Sequence, residues 1–581
     1  MDSSVSSDEK DHTSFPQHTS VDIKSGSNSP QSLPNEDEKS IEALNDNQPP
    51  EYYHGWKLYT ILVALLLSMF LVALDMTIVA TAVPRITDQF NSLDQVGWYA
   101  SAFFMTLASF QSPWGKAYKY LPLKSSFLAS VLIFELGSLT CGVAKNSETL
   151  IAGRAITGLG GAGVVCGVYI IVAFVVPPAK QAAYLGLVGA VFSIASVAGP
   201  LLGGVLTDKI SWRWCFYINL PIGGAALGLF LIFFKAPSFA KPAPATKWEI
   251  LQQMDLPGTI VLLASLVAYI LALEWGGVTK RWSSSDVIGC LIAWIALSIL
   301  FVVIQIFQHD RALLVGRIMK QRNVATLSAF IFFLNSANFL LVYNLPIYFQ
   351  AIDNASPTSS GIRNLPLVLT TGMIPPPSPP AFKTPLIYSP KPGICSMLSG
   401  QVIGKIGYFQ PFLLLGSLLA TLGAGLIYTL DIGSSSGHYI GYQILFGAGL
   451  GIAIQIPVIA AQALSDISDI ALVTASILFF QLASGAFSVS AAQSIFNNEL
   501  IRKLETMEGI GVDVGRVFRA GSTGIEGNFG AEQVRGILVS YMKGLKASWA
   551  MGIAMAGATF LIAFAPQWRS IKGGGGGGAV A

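Results

Sequence analysis

Three ionisable residues stand inside long apolar runs, where a charge is costly and needs a reason. Asp75 lies in LVALDMTIVATAVP, Arg154 in LIAGRAITGLGGAG and Glu135 in FLASVLIFELGSLTCG. Asp75 falls about 12 Å below the outer edge of its span and Arg154 about 10 Å below its own, at 1.5 Å per residue. One helix runs outward and the other inward, so the two charges can share a cavity. Desolvation raises a carboxylate's proton affinity and a nearby cation lowers it. A carboxylate that alternates between those settings loads and releases protons. The competing reading is a permanent structural ion pair. Glu135 sits mid-span without an evident basic partner, as a second proton site, a contact for a cationic cargo, or a neutral structural acid. Gln111 is a candidate cavity-lining residue.

The elements that must position these groups are membrane spans. The 581 residues are 52% hydrophobic and 12% charged, with mean hydropathy +0.58. A soluble chain carries roughly twice that charged fraction. A net charge of +3 is too small to point to nucleic acid. The five cysteines show no paired spacing and no metal-ligand pattern, so no metal and no cofactor is expected.

Residues 1–54 are polar and cannot build a core, so a disordered cytoplasmic tail is expected. They hold no apolar signal-peptide core, which makes the first span the insertion signal. Fourteen spans follow, including 97–116, a broken 362–404, 472–494 and 546–566. Lys and Arg in the short loops favour a topology with both termini cytoplasmic. The long loop 497–545 is then extracellular and 569–581 a cytoplasmic Gly-rich tail. The sequon at Asn354 falls in an outside loop, a glycosylation acceptor with Pro357 close by. GLGGAG at 158–163 lacks the strand and acidic residue of a dinucleotide loop.

Small residues recur along GAVFSIASVAGPLLGGVLTD at helical spacing: Gly189, Ser193, Ser196, Gly199 and Gly203, with Gly204 beside them. Such a face allows close helix approach, and Pro200 after Gly199 removes a backbone donor. With WRWCFYINLPIGG behind it, this stretch resembles the fifth-helix antiporter motif of major facilitator superfamily exporters. The likeness is greatest to the fourteen-span drug:proton antiporters of fungi. LDMTIVATAVP is similar to their first-helix motif, and the Arg154 stretch to the fourth-helix motif whose arginine is implicated in proton transfer. NLPIYFQAIDNASPTSSGIRNLP again resembles this family.

The loop WGKAYKYLPLKSSF keeps Gly115, Lys116 and Lys124 of the superfamily's loop signature but lacks its Asp. That weakens the case for a gating salt bridge in this loop, and enforcing topology is one role open to the lysines. Residues 373–394 carry eight prolines between 375 and 392. No spanning helix tolerates them. They read as a translated intron or gene-model error inside one family helix or, if they belong to the protein, as a cause of misassembly or a re-entrant loop.

The resemblance implies an all-α major facilitator fold. Residues 55–235 form an N-terminal six-helix bundle, 236–322 two linking helices with loops, and 323–568 a C-terminal six-helix bundle. The implied activity is proton-coupled export of amphipathic small organic molecules, such as toxins, secondary metabolites or drugs. It proceeds by alternating access and not by catalysis. The partners are cargo, protons and the lipid bilayer, with the chain a monomer in the cell membrane or in a vacuolar or vesicular one. A facilitator or sensor of the same fold, without proton coupling, is the alternative.

Overall fold

The computed structural model describes residues 53–90, 96–237, 240–372, 407–506, 513–520 and 524–568. The described residues are helical, apart from short connections and an isolated bridge between Gly276 and Lys280. Backbone groups in hydrocarbon must be satisfied within their own segment, which is why an apolar chain of this kind is built from helices.

The principal helices are α1 (Gly55–Phe90), α2 (Val96–Ser109), α3 (Gln111–Tyr120), α4 (Leu123–Gly142), α5 (Ser147–Val175), α6 (Pro178–Lys209) and α7 (Asn219–Phe233). Next come α8 (Leu256–Trp275) and α9 (Ser285–Gln308). The remainder are α10 (Arg322–Ile347), α11 (Pro357–Arg363), α12 (Leu365–Gly372), α13 (Gln410–Tyr428), α14 (Ser436–Ala453), α15 (Ile456–Ala463), α16 (Ile470–Glu505) and α17 (Ala531–Ile562). Among the described residues, twelve helices are long and apolar enough to cross a membrane. The α9 surface shows what surrounds them: Ile292, Ile299, Ile306 and Phe307 are exposed, and Val287 is its one buried residue. A helix so apolar and so exposed is covered by lipid.

Packing is dense within α1–α7 and within α10–α17, and α8 lies along α9. The two sets meet where α16 crosses α2 and α3 and where α12 crosses α6. Glycines set the closest approaches. A Cβ on Gly160 would stand 2.3 Å from the Phe134 backbone nitrogen, and one on Gly158 2.3 Å from the Phe103 carbonyl oxygen. GLGGAG is thus the surface on which α5 meets α4 and α2.

Several expected boundaries move. The second span breaks between α2 and α3, so it is not one long helix. Pro113 explains the break: it has no N–H for the Ser109 carbonyl, and its ring crowds that carbonyl. Of the tenth span, α11 and α12 are seen, and 373–406, with the proline-rich 373–394, lies outside the described residues. Most of the tail 1–54 and all of 569–581 also lie outside them. The stretch 497–545, expected as a loop, is largely helical. Helix α16 continues to Glu505 and α17 begins at Ala531. Polar residues there end the apolar run without ending the helix.

Gly160→Val should lower thermal stability in detergent by about 1–3 kcal/mol, the cost of overpacking a tight contact. Fluorescence-detected gel filtration after heating measures it.

Candidate functional site

Asp75 and Arg154 form a buried ion pair, with side chains 0% and 1% exposed. Asp75 lies in the middle of α1. Arg154 lies two turns into α5, whose first turn is capped by the Asn146 side chain accepting from Thr149 N–H at 2.9 Å. Arg154 Nη1 donates to Asp75 Oδ2, and its Nε donates to the Tyr99 carbonyl at 2.8 Å. The guanidinium also lies over the Phe103 ring, 4.4 Å from its centre. Arginine's fork lets it hold the carboxylate and a fixed backbone acceptor together.

A residue not expected at this site completes it. Asn219, the first residue of α7, donates from Nδ2 to Asp75 Oδ1 at 3.4 Å and to Ser138 Oγ at 3.1 Å. It belongs to WRWCFYINLPIGG, a stretch without evident chemistry in the sequence. Its only sequence signal is an amide at the edge of an apolar run. Glu135, one turn from Ser138 on α4, is 8% exposed, and neither of its carboxylate oxygens has a hydrogen-bond partner. It lies within electrostatic reach of Asp75. Asp75, Arg154 and Glu135 therefore come together on α1, α5 and α4.

The small-residue face of α6 divides between two neighbours. A Cβ on Gly199 would stand 2.0 Å from Thr77 Oγ1 of α1, two residues from Asp75. A Cβ on Gly189 would stand 2.6 Å from the Gln455 side chain at the start of α15. Cys215 Sγ approaches the Gly203 carbonyl at 3.9 Å, whereas a Cβ on Gly204 would meet open space. Helix α6 runs through Pro200 without interruption in its span. Gln111 is fully buried at the α2–α3 break, and its side-chain amide has no hydrogen-bond partner.

A second set of charges links the two helix sets at one end. A Cβ on Gly115 would stand 2.2 Å from the Ala475 Cβ, so α3 meets α16 closely there. Asp469, just before α16, accepts from Lys119 Nζ at 3.3 Å and from Arg317 Nη1 and Nη2 at 2.7 and 3.0 Å. Lys119 of this stretch, which the structure places in α3, thus forms a salt bridge with an acid outside the stretch, 350 positions away in sequence. Lys116 is buried and donates to the Arg311 carbonyl, and Lys124 donates to the Leu231 carbonyl at 2.7 Å. These lysines therefore hold structure beyond any role in topology. Nearby, Tyr169 Oη donates to Gln455 Oε1 at 3.1 Å, and Gln462 Nε2 donates to Thr474 Oγ1 at 2.8 Å.

Toward the other end, Asn354 is exposed, with φ 47°. Lys546 beside Asp431 holds that loop carboxyl below the usual carboxylate range. Among the described residues no group of three or more His, Cys, Asp or Glu could hold a metal ion. Cys141, Cys166 and Cys215 are buried free thiols, and Cys290 is half-buried. A narrow cleft of about 50 Å³ is lined by Phe104, Ile270, Phe339, Tyr343, Gly485 and Ser490, among others. A shallow surface pocket involves His438 and Tyr442. Tyr343 lies within electrostatic reach of Arg154, so the cleft adjoins the ion pair. Pockets that hold drug-sized ligands measure roughly 300–1,000 Å³, so the cleft would have to widen to admit one.

A family model described as Major Facilitator Superfamily matches residues 65–489. The chain is 45% identical to the MFS-type transporter grgE of a Penicillium species, over 93% of this chain and 92% of that one. It is 42% identical to the probable efflux pump gsfJ of Penicillium aethiopicum, over 90% of this chain and 89% of that one. It is 39% identical to the efflux pump aflT of Aspergillus parasiticus, over 89% and 97%. Its fold is similar to the crystal structure of the human organic anion transporter MFSD10. That match has TM-score 0.55 and 13% identity, covering 88% of this chain and all of that one.

Asp469→Asn should loosen the contact between α3 and α16. In a cysteine-free background carrying Gln455→Cys, labelling by a thiol reagent should speed up several-fold over the parent with Asp469 intact.

Proposed function

This chain belongs to the major facilitator superfamily, and we propose that it exports amphipathic small organic molecules across a membrane in exchange for protons. The observation that carries this reading is the Asp75–Arg154 pair, fully buried between α1 and α5. The names of similar fungal proteins, efflux pumps among them, support export.

A bare carboxylate in a low-dielectric interior is unstable, and it is neutralised either by a cation or by a proton. Arg154 supplies the cation in this arrangement. If α5 shifts relative to α1, Asp75 must take up a proton, and when the pair re-forms it must give that proton up. Glu135 has no donor on either oxygen, and we read it as the neutral, protonated acid of the site. The same helix movement opens the cleft beside Tyr343 to cargo, which links the two events. The charges around Asp469 and the Tyr169–Gln455 bond hold one end closed, the end our topology makes cytoplasmic.

The movement is a rocking of residues 55–235 against 323–568 about that cleft, with the helices of 236–322 as a link. The small-residue contacts of α6 at Gly199 and Gly189 are the pivot. We place both termini in the cytoplasm, count fourteen spans, and treat the chain as a monomer in the plasma membrane. The exposed Asn354 is a glycosylation acceptor in that topology.

Purified protein in liposomes tests the exchange, with rhodamine 6G as an amphipathic probe and an imposed pH gradient. The parent should accumulate the dye against its gradient, and an uncoupler should abolish this. Asp75→Asn should lose uphill accumulation by an order of magnitude or more, while keeping downhill dye exchange. Accumulation that survives the uncoupler, or survives Asp75→Asn unchanged, would establish the facilitator reading and a merely structural ion pair.

A further inference from the structure

We propose that Asn219 is a positioning residue that joins Asp75 and Glu135 into one coupled pair of carboxyls, with Ser138 as its second anchor. This deepens the proton-exchange reading above and rests on it.

Asn219 is fully buried at the start of an otherwise apolar helix, NLPIGGAALGLFLIF. A buried amide in such surroundings is costly unless bonded. Its Nδ2 has two hydrogens, and they go to Asp75 Oδ1 at 3.4 Å and Ser138 Oγ at 3.1 Å. Its Oδ1 is buried without a partner. One turn further along α7, a Cβ on Gly223 would stand 1.7 Å from Glu135 Oε1. The missing side chain is what lets the Glu135 carboxyl lie against α7. Helix α7 thus sets Asn219 and Gly223, four residues apart, against Ser138 and Glu135, three apart on α4. Asn219 Oδ1 and both oxygens of Glu135, on facing turns of α7 and α4, are buried acceptors without partners.

The charges facing this cluster set its chemistry. Arg154 on α5 is its cation, and Tyr343 on α10 lies within reach of that cation. Cys141 on α4 and Cys215 in the short helix Trp214–Tyr217 lie within reach of Asp75, and Tyr99 on α2 offers its carbonyl to Arg154. One cation against two carboxyls leaves one of them to be neutralised by a proton. An amide suits such a pair because it carries a donor and an acceptor. Nδ2 serves the ionised carboxylate, and Oδ1 can accept from the hydroxyl of the protonated one. A hydrocarbon side chain offers neither, and a carboxylate would add a third acid. When the proton changes places, rotation of the amide exchanges the two roles without new buried orphans. Coupling through the bridge makes the protonation of each acid depend on the other.

Infrared pH titration of the detergent-purified protein, without cargo, tests this. Asp75→Asn and Glu135→Gln assign the two carboxyl bands. In the parent, Glu135→Gln should move the Asp75 midpoint by about one pH unit, the scale at which two sites titrate as a pair. In an Asn219→Leu background the same substitution should leave that midpoint in place. Asn219→Ser, which still donates and accepts, should restore part of the shift. An undiminished shift in the Asn219→Leu background overturns the proposal while leaving the proton-exchange reading intact. If Asn219→Leu fails to give monodisperse protein, Gly223→Ala serves in its place. It should displace Glu135 and erase the shift, and an undiminished shift there is equally fatal. A parent with no titrating carboxyl band overturns the proton-exchange reading and this proposal with it.

Discussion

A charge buried in hydrocarbon surroundings must be neutralised, and most of what is distinctive in this molecule follows from how it meets that demand at Asp75. Two unit charges in contact attract far more strongly in a dry interior than in water, yet desolvating them costs about as much. A pair such as Asp75–Arg154 is therefore a poor device for stability alone. Removing Arg154 leaves a bare carboxylate, which a proton then neutralises. On the exchange reading proposed above, that substitution of proton for cation is the property the site supplies.

The surrounding helices serve this constraint. Close packing of α4, α5 and α2 through Gly158 and Gly160 brings Arg154 beside Tyr99 and Phe103. Gly199 lets α6 press against Thr77, so a shift of α6 is felt within a turn of Asp75. Tyr343 joins the pair to the cleft where α2, α8, α10 and α16 converge. Asp469 takes charges from α3 and from the linking segment at once, which fastens three parts of the chain to one carboxylate. Exposed single ion pairs contribute little, but Asp469 is itself buried and holds a two-pronged arginine contact, which raises its worth.

Much of this is legible in the sequence. Charges inside apolar runs stand out, so Asp75, Arg154 and Glu135 could be picked from the sequence, and the order of apolar runs implied the helical membrane fold. Other parts were hidden for physical reasons. Asn219 carries no charge, and an amide at the end of a span looks like an interfacial residue until its partners are known. Asp469 and Lys119 are ordinary charges at helix ends, and nothing local tells that they meet across the long interval between them. The stretch WGKAYKYLPLKSSF lacks an acid of its own, which conceals that Asp469, just before α16, supplies one. The break at Phe110 was readable in principle from Pro113, but the apolar run on either side masked it. The helical stretch after residue 497 was missed because hydropathy reports where a chain leaves lipid, not where a helix ends.

The account turns on whether the pair exchanges its proton or merely ties α1 to α5. The most direct measurement removes both charges together, with Asp75→Asn and Arg154→Gln in one protein, so that no buried charge is orphaned. Folding and dye exchange down a gradient are then measured beside accumulation driven by a pH gradient. The account predicts a folded protein that equilibrates dye at near the parent rate and accumulates none. Accumulation equal to the parent's, in the absence of both charges, would contradict it.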